Sequence, residues 1–176
     1  MELFDAIAKR HSYRGPFTDS PVPRQDLEKI VQAGIQAPSA CNRQMASFVI
    51  VDDPQVLRQI AEWVGKPVCQ SAKAMIVCVG DPSPVYNEWS FVKEDCAAAV
   101  ENMLLAITAL GYASVWLDGA LRAEDRAARI GRLLGVPADR SVRILLPIGV
   151  PAEPGTQRER LPFSDRAWFN QFGAKG

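Results

Sequence analysis

The heptapeptide AMIVCVG, residues 74–80, is apolar at every position. A strand of that kind is stable only where both of its faces are covered, so it belongs at the centre of a sheet. Several helices are available as cover. Leu27, Ile30, Val31 and Ile35 recur at i, i+3, i+4 and i+8, with Pro23 near the first turn and Pro38 ending the run. After the β-branched and aromatic stretch ASFVIVDD (46–53), which reads as a strand, Leu57, Ile60, Ala61 and Val64 keep helical spacing again. From Asp95 the run CAAAVENMLLAITALG is apolar on nearly every side and closes at Gly111, which predicts a central, fully buried helix capped by Asp95. YASVWLDG (112–119) reads as a strand, EDRAARIGRLLG (124–135) as a helix ended by Gly135 and Pro137, and VRILLPIGV (142–150) as a last strand. A short helix carrying Leu3, Phe4 and Ile7 opens the chain and cannot pass Gly15-Pro16. A parallel doubly wound sheet satisfies this pattern as well as an antiparallel one.

Twenty Lys+Arg balance twenty Asp+Glu in 176 residues, so the chain lacks the global basic field that drives binding to nucleic acid or an anionic membrane surface. With 48% hydrophobic residues it can bury one substantial core. The expectation is one domain, a core over 1–150 followed by an extension over 151–176 whose composition changes. No segment approaches the roughly 18 to 20 unbroken apolar residues of a membrane span, and the charged start MELFDAIAKR does not read as a signal peptide. The expected location is cytoplasmic. Cys41, Cys69, Cys78 and Cys96 never fall into a CxxC spacing, which suggests neither a metal site nor a redox pair but reduced, mostly buried thiols. The sequence holds no GxGxxG, no Walker loop, no GxSxG and a single His. Catalytic power would then have to come from a bound organic cofactor.

Four stretches carry the candidate chemistry. In IAKRHSYRGPF (7–17), Lys9, Arg10, His11 and Arg14 crowd a helix C-terminus. The macrodipole favours cations there by about 0.3–1 kcal/mol each, yet it does not ask for Ser12, whereas two Arg forks with a hydroxyl and an imidazole between them suit a phosphate. In APSACNRQ (37–44), Pro38, Ser39, Asn42 and Gln44 compose an ordinary turn, or amides offered to the edge of a heteroaromatic ring. Cys41 has no base within local reach and is expected to be a small buried filler. Asp118-Gly119 ends a strand, as a plain turn or as a place where backbone comes close to a flat ligand. Arg158 and Arg160, two apart in QRER, lie on one side of an extended chain and form a solvated run or a second cationic pair. DPSPVYNEWSFVK (81–93) has no period and reads as a loop or cover. Phe163, Trp168, Phe169 and Phe172 give the tail more aromatic surface than a disordered segment carries.

Taken together, IAKRHSYRGPF, APSACNRQMASFVIV, EDCAAAVENMLLAITALGYASVWLDG and LLPIGVPAEPGTQRERLPF, in this order and at these distances, resemble the FMN-dependent nitroreductase family from residue 3 to about residue 163. The resemblance implies an α+β, three-layer sandwich with a mixed, largely antiparallel sheet flanked by helices. It also implies a homodimer with FMN at the interface and the 151–176 extension packed on the partner. By the same resemblance Arg10, His11, Ser12 and Arg14 meet the FMN phosphate, ribityl chain and O2 side. Pro38, Ser39, Ala40 and Asn42 line the partner's isoalloxazine, the Asp118 and Gly119 backbone faces N5 and O4, and Arg158 and Arg160 close on the phosphate. The implied activity is ping-pong hydride transfer from NAD(P)H, through the flavin, to an electron-poor acceptor such as a nitroaromatic, a quinone or an activated alkene. Reductive dehalogenation, flavin fragmentation and a carrier or sensor without turnover are the alternatives. No metal is expected from the cysteine spacing and the single His, and no dedicated side-chain acid is evident. Two features depart from the family: Met45-Ala46 stand where Pro-Trp is common, and residues 81–93, over the substrate side, match no family pattern.

Overall fold

The computed structural model describes residues 1–174. Four strands, β1 (Ala46–Val51), β2 (Ala74–Gly80), β3 (Ala113–Ser114) and β4 (Ser141–Gly149), form one sheet in the order β1-β2-β4-β3, every neighbour antiparallel. The all-apolar heptapeptide is β2, buried at all seven positions and paired on both sides. Six helices cover the sheet: α1 (Leu3–Lys9), α2 (Arg24–Ile35), α3 (Pro54–Val64), α4 (Pro67–Gln70), α5 (Val92–Ala109) and α6 (Arg126–Leu133).

The pleat of β2 divides the interior into two cores. Met75, Val77 and Val79 pack with Leu57, Ile60 and Val64 of α3 and Ile130 of α6. Ala74, Ile76 and Cys78 pack with Leu27 and Ile30 of α2 and Cys96, Val100, Met103 and Ile107 of α5. This is the three-layer α+β arrangement, and the period-2 alternation of one strand produces it. A Cβ on Gly34 of α2 would lie 2.8 Å from Met103 Cγ. The missing side chain lets α2 approach α5 closely, which fixes where the 37–44 turn leaves the helix.

Several expectations are corrected. α5 begins at Val92, so Asp95 is not its cap but a buried side chain in the first turn that accepts the Ala40 N–H at 3.0 Å. The helix is not wholly buried, since Lys93, Glu94 and Glu101 are exposed along an uncovered flank. Of YASVWLDG only two residues hold strand geometry, and Leu117 rejoins β4 as an isolated pair with Leu145. The outer edge of β3 is taken by the N-terminal segment: Ser12 bridges Ser114, and Tyr13 N–H donates to the Ser114 carbonyl at 2.9 Å. α4 was not foreshadowed by periodicity; Gly65, left-handed at φ 65°, ends α3, and Pro67 at a first helical position starts the next turn.

Cys69, Cys78 and Cys96 are buried, and burial pushes the Cys69 thiol up to about 12. Cys41 is exposed, contrary to the filler role expected of it, because it sits at a left-handed φ of 49° on the outer side of a one-turn helix. Among the described residues no helix is long and apolar enough to cross a membrane.

Candidate active site

The N-terminal segment is stitched to the chain that follows β4. Thr18 N–H donates to the Val150 carbonyl at 2.8 Å, Ala152 N–H to the Pro16 carbonyl at 3.0 Å, and Glu153 N–H to the Tyr13 hydroxyl at 3.4 Å. Tyr13 points inward and is buried, so positions 12 and 14 on either side of it face outward, as an extended segment requires. Gly149 permits the approach, since a Cβ there would fall 2.5 Å from Phe17 Cγ. The result is a cleft of about 410 Å³ lined by His11, Ser12 and Arg14 from one end of the sequence and Thr156, Gln157, Arg158 and Arg160 from the other.

The lining of the cleft is cationic. Arg14 and Arg158 are exposed, and Arg160 donates to Gln157 Oε1 at 2.9 Å. His11 Nδ1 is paired with the Lys9 carbonyl at 2.9 Å, while its Nε2 is buried without a partner. The Gly155 Cα lies against that imidazole so closely that a Cβ would collide with Nε2. Of the residues assigned to this group from sequence, His11, Ser12, Arg14, Arg158 and Arg160 come together. Arg10 is turned away, into an ion pair with Glu101 of α5 at 3.3 Å. Thr156 and Gln157 escaped the sequence reading because residues 151–160 show no period.

A second cavity, of about 360 Å³, opens between the C-terminal turn of α2, the 37–44 turn, the start of β1 and the start of α5, and Pro38, Ser39, Gln44, Phe48 and Asp95 lie on its wall. The turn itself is held in an unusual shape. Cys41, Asn42 and Gln44 have φ of 49°, 54° and 53°, a region that costs non-glycine residues about 1–3 kcal/mol each. Local bonds offset part of that: Asn42 N–H to the Ser39 carbonyl, Arg43 N–H to the Ala40 carbonyl and Gln44 N–H to Ser39 Oγ, each at 3.0 Å. The two cavities share no lining residue.

Asp118 and Gly119 belong to neither lining. The Asp118 carboxylate pairs with Arg122 at 3.1 Å and its carbonyl accepts the Leu121 N–H. A Cβ built on Gly119 meets nothing within 4 Å, so the backbone there is open to approach. Residues 85–89 form a tight turn with Asn87 and Glu88 left-handed, presenting Tyr86 and Trp89 edge to face at 6.5 Å, 58% and 63% exposed. No group of His, Cys, Asp and Glu among the described residues is arranged to hold a metal ion.

The chain is a three-layer α+β fold with a cationic cleft joined from two distant parts of the sequence and a strained polar turn placed apart from it. By comparison, the chain matches the nitroreductase family over residues 7–77 and 70–150, and it belongs to that family. A protein of Archaeoglobus fulgidus provisionally named NADH dehydrogenase/NAD(P)H nitroreductase is 34% identical over 154 residues, covering 86% of this chain and 87% of its own. An NADPH-dependent oxidoreductase of Staphylococcus haemolyticus is 29% identical over 184 residues, covering 92% and 70%. Among solved structures, nitroreductase A from Vibrio parahaemolyticus superimposes with a TM-score of 0.84 at 26% identity, covering all of this chain and 79% of its own. An FMN-dependent nitroreductase from Clostridium difficile gives 0.80 at 26% identity, covering 96% and 99%.

Proposed function

We propose that this chain is an FMN-dependent oxidoreductase that passes electrons from NAD(P)H to an electron-poor acceptor, a nitroaromatic, a quinone or an activated alkene. The observation that carries the proposal is the cleft of His11, Ser12, Arg14, Arg158 and Arg160, which is cationic on a chain of zero formal net charge. Its donor set fits a phosphomonoester: guanidinium forks for bidentate charged bonds, a hydroxyl, and an imidazole nitrogen left without a partner. Bound there, FMN supplies the two-electron carrier that amino-acid side chains lack.

The chain's own residues bind and orient. Arg14, Arg158 and Arg160 neutralise the phosphate, and Ser12, fixed by its pairing with Ser114, offers its hydroxyl at a defined height. The open backbone at Gly119 fits close approach of a flat ring edge. The Pro38, Ser39, Ala40 and Asn42 turn, in this reading, closes over the ring held in the partner's cleft, excluding water and leaving one face for donor and acceptor in turn. The homodimer belongs to the same proposal. Leu3, Phe4 and Ile7 on α1, and Phe169 and Phe172 in the tail, are 46–87% exposed, large apolar side chains that a partner's surface would cover. The extension from 151 is assigned to the partner's surface for this reason; its last residues, 175 and 176, lie outside the described part of the chain.

Purified protein is expected to be yellow, with one FMN per subunit, and anaerobic NAD(P)H should bleach the flavin band within the turnover time. Colourless protein that also fails to take up FMN overturns the proposal, and bound flavin that NAD(P)H cannot bleach reduces it to a carrier. Gly155→Ala should push the His11 imidazole into the cleft, and FMN titration by fluorescence quenching is expected to show an affinity about tenfold lower, the equivalent of one lost charged hydrogen bond. Unchanged affinity in Gly155→Ala would place the phosphate elsewhere.

A further inference from the structure

Asp95 has no place in the account so far. Its side chain is 5% exposed, it sits inside the first turn of α5, and among the described residues its Oδ2 is buried without a partner while Oδ1 accepts the Ala40 N–H at 3.0 Å. A half-satisfied buried carboxylate is a poor stabilising device, since an apolar residue of similar volume at such a site is commonly neutral or better. The helix macrodipole does not explain it either, because Glu94 already places an exposed acid in that turn. What Asp95 does have is one bond reaching 55 positions along the sequence into the 37–44 turn. Apart from Ala37 N–H, which donates to the Gly34 carbonyl and only continues the end of α2, the other bonds of that turn join residues within it, from Ser39 to Gln44. They define its shape but not its position relative to the sheet.

We infer that Asp95 is a positioning residue: its bond to Ala40 fixes the strained Pro38–Asn42 turn against α5 and so sets the height at which that turn meets the flavin. The inference rests on the flavin reading above. Three left-handed residues without glycine make the turn prone to relax, and a single acceptor on the amide just before them opposes relaxation where it begins. The carboxylate is tolerated in the interior because the bond is worth more to the site than to the fold. Asp95 itself touches no reacting group, so it acts through Ala40.

Three chains decide the matter: wild type, Asp95→Leu, which keeps the branched heavy-atom shape and removes the acceptor, and Asp95→Asn, which removes the charge and keeps an acceptor oxygen. Hydrogen exchange at the Ala40 amide, followed in the full chain without added FMN, should accelerate about tenfold or more in Asp95→Leu and stay within about threefold of wild type in Asp95→Asn. With FMN added, Asp95→Leu should show a shifted visible band and circular dichroism and a raised acceptor KM, with Asp95→Asn restoring all three towards wild type. The inference is overturned if Ala40 exchange is unchanged in Asp95→Leu, or if Asp95→Asn is as impaired as Asp95→Leu, since charge alone would then be the cause. Should Asp95→Leu fail to fold, Asp95→Ala takes its place in the same comparison. Failure of the wild-type chain to bind FMN would sink the flavin reading, and with it the inference, whatever Ala40 exchange shows. A bound flavin with indifferent Ala40 exchange sinks the inference alone.

Discussion

Arg14→Ala combined with Arg158→Ala is expected to yield folded, colourless protein. Each guanidinium is exposed and stands at one of the two ends of the chain that build the cleft, and neither is held in an ion pair among the described residues. Arg14 makes only a long 3.3 Å contact with the Ser12 carbonyl. Truncating two such surface side chains should move folding stability by about 0.5 kcal/mol or less each. Loss of two charged partners from a phosphate should cost about 3–6 kcal/mol of binding, a Kd higher by roughly a hundredfold to ten-thousandfold. The lysine double variant should fall between, because it keeps the charge and loses the fork. Equilibrium dialysis of FMN, beside far-UV circular dichroism and a urea curve, separates lost binding from lost fold. Stoichiometric FMN at wild-type affinity in the alanine double variant would remove the cleft from the phosphate's itinerary.

The structure shows which residues could be read locally and which could not. AMIVCVG announces a strand covered on both faces, and the structure pairs it on both sides from Met75 to Gly80, because a fully apolar run has no other stable place. Strand direction was a different matter: parallel and antiparallel sheets ask the same of this pattern, and the antiparallel order came only with the family resemblance. Asp95 looks in sequence like a helix cap, since an acid before an apolar run is the ordinary signal for one. Its real partner, Ala40, is set by how closely α2 packs on α5, and local sequence does not display that. The position of Arg10 is set by packing in the same way. A cation at the end of α1 is captured by Glu101 only because α1 docks on α5. Gly155, whose lack of a side chain makes room for His11, carries no signal at all in a stretch without a period.

The division of the site between two chains admits a test by complementation. One chain carries Arg14→Ala with Arg158→Ala, and the other carries Ser39→Ala with Asn42→Ala. In the proposed homodimer each flavin meets the cleft of one protomer and the turn of its partner, so each variant homodimer has two damaged sites. Two-fold symmetry then gives the mixed dimer one site with both lesions and one with none. Co-expression with two affinity tags, followed by sequential purification, should therefore recover about half the wild-type turnover per dimer, well above either parent. The single-chain structure is compatible with this, because its cleft and its turn open into cavities with no lining residue in common. If instead cleft and turn of the same chain served one flavin, every site of the mixed dimer would hold one kind of lesion, and turnover would fall midway between two impaired parents. That average would refute the shared site while leaving the flavin chemistry standing, and it would remove the reason for the exposed apolar surfaces of α1 and the tail to meet a second copy at the site.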